Sequence, residues 1–135
     1  MTCGLMAHRL NTVKGTSEIF KGSIVCYDEE VKIKLLKVGK NLIKEYTAES
    51  REVTNALAKN LKKLISADIY ASITGLANSG GSESKAKPVG TVFFTVFWNN
   101  KLFTLKRRFT GTPLQIKIGS CDTIFEFIYK VLKKN

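Results

Sequence analysis

The sequence predicts an α/β protein, a three-layer α/β/α domain around a mixed sheet that includes a C-terminal antiparallel hairpin. Three observations point there. Residues 89–98 are dense in Val, Phe and Thr, and Asn99-Asn100 offers a two-residue turn into a second strand at 101–109. Two shorter apolar runs, 23–27 and 67–73, read as buried strands alternating with helical segments. Apolar residues recur at helical spacing within 53–65 and again within 121–132, so helices are available to cover both faces of a sheet.

In chain order, Leu5, Met6 and Leu10 outline a short first helix. Ser23, Ile24, Val25, Cys26 and Tyr27 form a compact run bounded by Gly22 and by acidic residues, the pattern of a buried strand. Asp28 is placed to cap a helix running to Val38, with Glu29 and Glu30 suited to its positive first turn. A further helix, starting at Thr47 or Ser50, sets Val53, Leu57, Leu61, Leu64 and Ile65 on one face. The next strand ends at Thr74-Gly75. Residues 76–87, rich in Gly, Ser and Asn, form a flexible connection stopped by Pro88. Thr112-Pro113 is a cap followed by proline at the first helical position, and the last helix is expected to bury Cys121, Ile124, Phe125, Ile128, Val131 and Leu132. No repeat or linker divides the chain, so residues 1–135 read as a single domain.

Composition narrows the function classes. A 44% hydrophobic content in 135 residues supplies a real core, and no segment is long and apolar enough to span a membrane. No basic region followed by an apolar run opens the chain, so no secretory signal is expected. Cys3, Cys26 and Cys121 are far apart and His8 is the only histidine, which disfavours a zinc site; reduced thiols in a cytoplasm are the simplest expectation. Neither a metal nor a cofactor is expected. The net charge of +11 admits nucleic acid, an anionic membrane or a phosphorylated metabolite as partner. Eighteen lysines against four arginines, scattered along the chain, favour a solvated surface over a nucleic-acid interface, which relies on arginine forks. His8 on its short helix and Trp98 at the hairpin end are expected to be structural, and Cys3 a small buried or half-buried thiol.

Several blocks carry a family resemblance. Residues 1–10, Met-Thr-Cys-Gly-Leu-Met-Ala-His-Arg-Leu, are similar to the end of Glu-Ser-Cys-Thr-Gly-Gly-Leu-Leu-Ala-His-Arg-Leu. Residues 20–32 are similar to Phe-Arg-Gly-Gly-Val-Val-x-Tyr-Ser-Asn-x-x-Lys. Ala67-Asp68-Ile69 with Thr74-Gly75, and Lys87-Pro88-Val89-Gly90, match two further blocks in order. Together they resemble the C-terminal domain of the competence/damage-inducible CinA family, the nicotinamide-mononucleotide amidohydrolases.

The resemblance implies an amidase in which a serine attacks the nicotinamide carboxamide, assisted by a lysine and a tyrosine, with release of ammonia. By residue matching those partners are Lys32 and Tyr27. The positive start of a helix disfavours an ammonium, which suits a lysine base one turn in, although Glu29 and Glu30 oppose it. Thr2, Cys3 and Gly4 match the oxyanion-binding turn, with Cys3 in place of a glycine. Thr74, Gly75, Gly80 and Gly81 belong to a loop whose N–H groups can meet a phosphate. Asn78-Ser79 replaces the family's Gly-Pro, and Gly111-Thr112-Pro113 with Lys117 replaces its Gly-Asp-Arg and following arginine. The matched serine falls one residue before Met1. The expectation is therefore an N-terminally truncated domain, less stable than an extended form or obligately homo-oligomeric, acting on a small-molecule nucleotide. The alternative is a noncatalytic nucleotide-binding or oligomer-forming relative, with a basic nucleic-acid-binding protein as the more remote possibility.

Overall fold

The strongest β signal in the sequence lies at the centre of the fold. In a computed structural model that describes residues 1–134, β2 (Thr91–Trp98) is the middle strand of a three-stranded sheet. Its neighbours are β1 (Ile69–Gly75) and β3 (Lys101–Arg108), both antiparallel to it. Asn99 and Asn100 make the tight turn between β2 and β3 with φ of 48° and 58°, the left-handed pair that such hairpins require. Gly75 lets β1 approach its neighbour closely, because a Cβ there would stand 2.7 Å from the Thr91 carbonyl oxygen.

Alternation along the strands divides the sheet into two unlike faces. Val92, Phe94 and Val96 point to one face and pack with Ile116, Ile124 and Val131 of α6 (Pro113–Lys134). Tyr70 and Phe97 point to the other and pack with Ala58 of α5 (Arg51–Leu61). The α5 face also buries hydroxyls, each with a partner. Thr54 donates to the Ser50 carbonyl at 2.5 Å, so the 2.6 Å contact with Thr74 must use the Thr74 proton. Ser72 donates to the Thr54 carbonyl, and Thr95 to the Asn55 side chain, both at 2.7 Å. Ser50 caps α5 by accepting from the Val53 N–H, as the sequence suggested.

Helix, sheet and helix therefore form the three expected layers. The sheet is antiparallel throughout the described residues, not mixed. The strand that would have made it mixed, 23–27, has no strand partner and is assigned no regular structure. It is not buried either: Ile24 and Cys26 are half-buried, while Ser23, Val25 and Tyr27 are exposed. Apolar composition alone does not make a strand without a neighbour to accept its hydrogen bonds. The outer edge of β1 is likewise unpaired among the described residues, and the two face each other across an opening.

The remaining helices are short: α1 (Leu5–Asn11), α2 (Thr16–Ile19), α3 (Glu29–Lys34) and α4 (Lys40–Tyr46). Asp28 caps α3 through the Glu30 N–H, as expected, but the helix stops at Lys34 instead of Val38. Burying Leu36 and Val38 on opposite sides of the exposed, left-handed Lys37 requires the chain to leave the helical path. Thr47 does not begin α5; it ends α4, with φ of 68°. Within α6, Cys121, Ile124 and Val131 are buried, Phe125 and Ile128 are half-buried, and Leu132 lies at the surface. Arg9 ties α1 to α6 through a 2.6 Å ion pair with Asp122 and a 3.2 Å bond to the Ile118 carbonyl. Cys3 is exposed instead of half-buried. No helix among the described residues is long and apolar enough to cross a membrane.

Candidate functional site

The opening between the β1 edge and residues 20–27 widens into a cleft of about 940 Å3. Its walls bring together all nine residues singled out from the sequence: Thr2, Cys3, Gly4, Tyr27, Lys32, Thr74, Gly75, Gly80 and Gly81. They come from three separate stretches of chain, residues 2–4, 27–32 and 74–81, so the convergence is a property of the fold and not of sequence proximity.

Lys32 is the most unusual of them. It is only 5% exposed, and its ammonium donates to the Tyr27 carbonyl at 3.0 Å. Among the described residues it forms no ion pair. A lysine buried with one neutral acceptor is costly, and such costs concentrate at sites of function. Its place in the helix differs from the expectation. Because α3 has six residues, Lys32 lies in its last turn, where the helix carbonyls favour a cation. The supposed benefit of a positive helix start does not apply.

Tyr27 is connected to Lys32 by its backbone. Tyr27 is 76% exposed, at the cleft's edge, because residues 24–27 alternate between half-buried and exposed and Tyr27 falls on the outward side. Thr74 also lines the cleft, with its hydroxyl committed to Thr54 as described above. At the N-terminal segment, Cys3 and Gly4 are both left-handed, with φ of 52° and 89°. This turn enters α1, and the Thr2 and Gly4 carbonyls accept from the Leu5 and His8 N–H groups.

Charge in the cleft is mainly positive. Lys21, Lys32 and Lys117 line it against Glu49 and Asp68. The Cys26 thiol, also in the cleft, is raised above its ordinary 9.0 by burial, with Lys32 opposing, which makes it a poor nucleophile at neutral pH.

The glycine-rich loop is more ordered than its composition suggested. Gly80 and Gly81 donate their N–H groups to the two carboxylate oxygens of Glu83, at 2.7 and 2.8 Å. The Gly80 bond is the largest of the causes that lower the Glu83 carboxyl from its ordinary 4.5. Lys87 spends its three protons on Thr47 Oγ1, the Glu49 carbonyl and Ser82 Oγ, at 2.5, 3.0 and 2.6 Å. Ser82 in turn donates to the Glu49 carboxylate at 2.5 Å. Sequence reasoning did not assign roles to Glu49, Ser82 or Glu83. The one local signal was an acidic residue two positions after Gly80-Gly81.

A sequence profile described as the CinA C-terminal domain matches residues 1–132. A CinA-like protein of Petrotoga mobilis is 41% identical over 134 residues, covering 98% of this chain and 33% of that protein. The chain thus spans about a third or less of the curated relatives it matches. Among solved structures, a competence-damaged protein (CinA) superfamily member from Klebsiella pneumoniae superposes with a TM-score of 0.93 at 24% identity, covering 99% of this chain and 83% of that one. The competence/damage-inducible protein CihA of Agrobacterium tumefaciens gives 0.89 at 26% identity, over 96% of this chain and 79% of its own. By the match along nearly its whole length, the chain belongs to the CinA C-terminal domain family.

Proposed function

We propose that the cleft is the amidase site of a nicotinamide-nucleotide amidohydrolase, converting nicotinamide mononucleotide to nicotinate mononucleotide and ammonia. The observation that carries this reading is Lys32, buried and without a carboxylate partner among the described residues, in a cleft that also holds the other matched residues. By its match to the family's lysine, Lys32 is assigned as the general base that takes the nucleophile's proton.

In this reading the nucleophile is the serine that the family motif places one position before Met1. Its oxygen attacks the carboxamide carbon as its proton passes to the Lys32 amine. The backbone turn at Thr2, Cys3 and Gly4 faces the oxygen that gains charge. Lys32 then returns the proton to the departing nitrogen, and the Tyr27 phenol serves as relay. Water completes hydrolysis of the acyl intermediate. The basic cleft supports an anionic substrate.

A second reading, binding of the nucleotide without turnover, is favoured by the outward Tyr27 ring. The two separate in one assay. Nicotinamide mononucleotide is incubated with the 135-residue chain and with the chain carrying its in-frame upstream residues, and ammonia is measured. Turnover is expected only where the serine is present. A form that has that serine, binds the nucleotide and releases no ammonia would overturn the amidase reading in favour of binding alone.

A further inference from the structure

Near Lys32 the cleft is lined by an apolar patch. Cys26, Leu36, Ala48 and Leu57 face the opening and pack into one cluster. Lys32 is close enough to Cys26 to act on its thiol. Glu49 follows Ala48 directly, is half-buried, and lines the same cleft. Its carboxylate forms no ion pair among the described residues, although three lysines share the opening. The residue is held from both ends. Ser82 donates to Glu49 Oε2 at 2.5 Å, and Lys87 donates to the Glu49 carbonyl at 3.0 Å and to Ser82 Oγ at 2.6 Å. Lys87 thus steadies Glu49 through its backbone and through Ser82, without pairing with the carboxylate. A negative charge fixed beside apolar surface needs little rearrangement to receive a cation.

We propose that Glu49 is a specificity determinant of the cleft, its carboxylate being the counter-charge for the pyridinium ring of an N-substituted nicotinamide that lies on the apolar patch. Such a ring is flat and largely apolar, and its quaternary nitrogen carries a positive charge with no N–H to donate. A neutral acceptor does not single out that charge. A carboxylate at the edge of an apolar bed does, through Coulomb attraction in a partly desolvated place. The cleft lysines attract the nucleotide's phosphate whatever the state of its ring, so they treat the pyridinium and the neutral dihydropyridine alike. Glu49 tells the two apart.

The inference rests on the amidase reading for the nucleotide that bears the ring. Its test compares calorimetric affinities of the 135-residue chain for nicotinamide mononucleotide and for its reduced, dihydropyridine form. Ribose, phosphate and carboxamide are common to both, so the affinity ratio isolates the ring's charge. Wild type should bind the pyridinium form about tenfold more tightly, the scale of one half-buried charge contact. Glu49→Gln keeps an acceptor for Ser82 and removes the charge, and should bring the ratio to within about twofold. Glu49→Asp, which keeps the charge on a shorter arm, should retain part of the preference. Equal affinity of wild type for the two forms would overturn the proposal, as would an undiminished ratio in Glu49→Gln. A Glu49→Gln chain that loses affinity for both forms equally would also overturn it, by showing that Glu49 only supports the loop. Failure of wild type to bind either form would do the same. None of these readings involves ammonia release, so the amidase reading stands or falls separately, by turnover in the serine-bearing form.

Discussion

The two walls of the cleft are built on different physical terms. One wall is β1 and the loop after it, paired to β2, backed by α5 and α6, and stabilised by buried contacts at Phe94, Val96 and Ile124. The other is the chain from 1 to 38, made of helices of seven residues or fewer and an extended run without a strand partner. Val25 and Tyr27 on that second wall are 54% and 76% exposed, whereas Phe94 and Ile124 behind the first are at 1% and 0%. The residues matched to proton transfer, Lys32 and Tyr27, stand on the looser wall, and the glycine-rich loop on the firmer one. In the proposed reading, the groups assigned to the chemistry thus sit on the less buried wall of the cleft and the glycine-rich loop on the wall backed by the core.

The largest expected difference between the walls is in stability. Ile124→Ala removes a fully buried side chain from the central core and should cost about 2–5 kcal/mol in chemical denaturation. Val25→Ala on the opposite wall should stay within about 0.5 kcal/mol. Similar losses at both positions would show that the walls are equally packed and remove the contrast.

A much smaller effect is expected where the looser wall is tied to the firm body. Asp122→Asn breaks the ion pair to Arg9, but the partners are 34% and 51% exposed and solvent screens them. Arg9 also keeps its bond to the Ile118 carbonyl. The expected cost is below about 1 kcal/mol in the same denaturation experiment. A loss comparable to that of Ile124→Ala would mean that this link, and not the core, holds α1 in place.

The same contrast explains which parts of the structure could be read in the sequence. The hairpin, α5 and α6 follow from local signals that tertiary packing then reinforces: a two-asparagine turn, a serine cap, a threonine-proline start and apolar residues at regular spacing. The first 47 residues lack that agreement. Residues 23–27 have the composition of a strand, yet strand formation depends on a neighbour, which composition does not specify. The short α4 gives no signal of its own because seven residues leave little periodicity to detect, and of the two starts offered for α5 only Ser50 is one, Thr47 being the end of α4.

For the cleft, motif matching proposed a residue set, and the structure places all nine along one opening. The matches did not reveal how each side chain is used. Thr74 turns its hydroxyl toward Thr54, Tyr27 contributes its carbonyl to Lys32, and Glu83 occupies the glycine N–H groups. Each of these depends on side-chain direction, which follows from local backbone geometry that a motif does not encode.

The most direct test of the central claim is to replace the buried lysine and measure nucleotide turnover and stability in the same serine-bearing protein. Lys32→Met keeps the bulk of the side chain and removes the amine. If Lys32 serves the chemistry and not the fold, the melting temperature should hold or rise, because the cost of burying its polar end is gone. Ammonia release from nicotinamide mononucleotide should fall by about 100-fold or more, the scale of losing a positioned general base, while calorimetric affinity holds within a few fold. A Lys32→Met protein that releases ammonia at the wild-type rate would contradict the account.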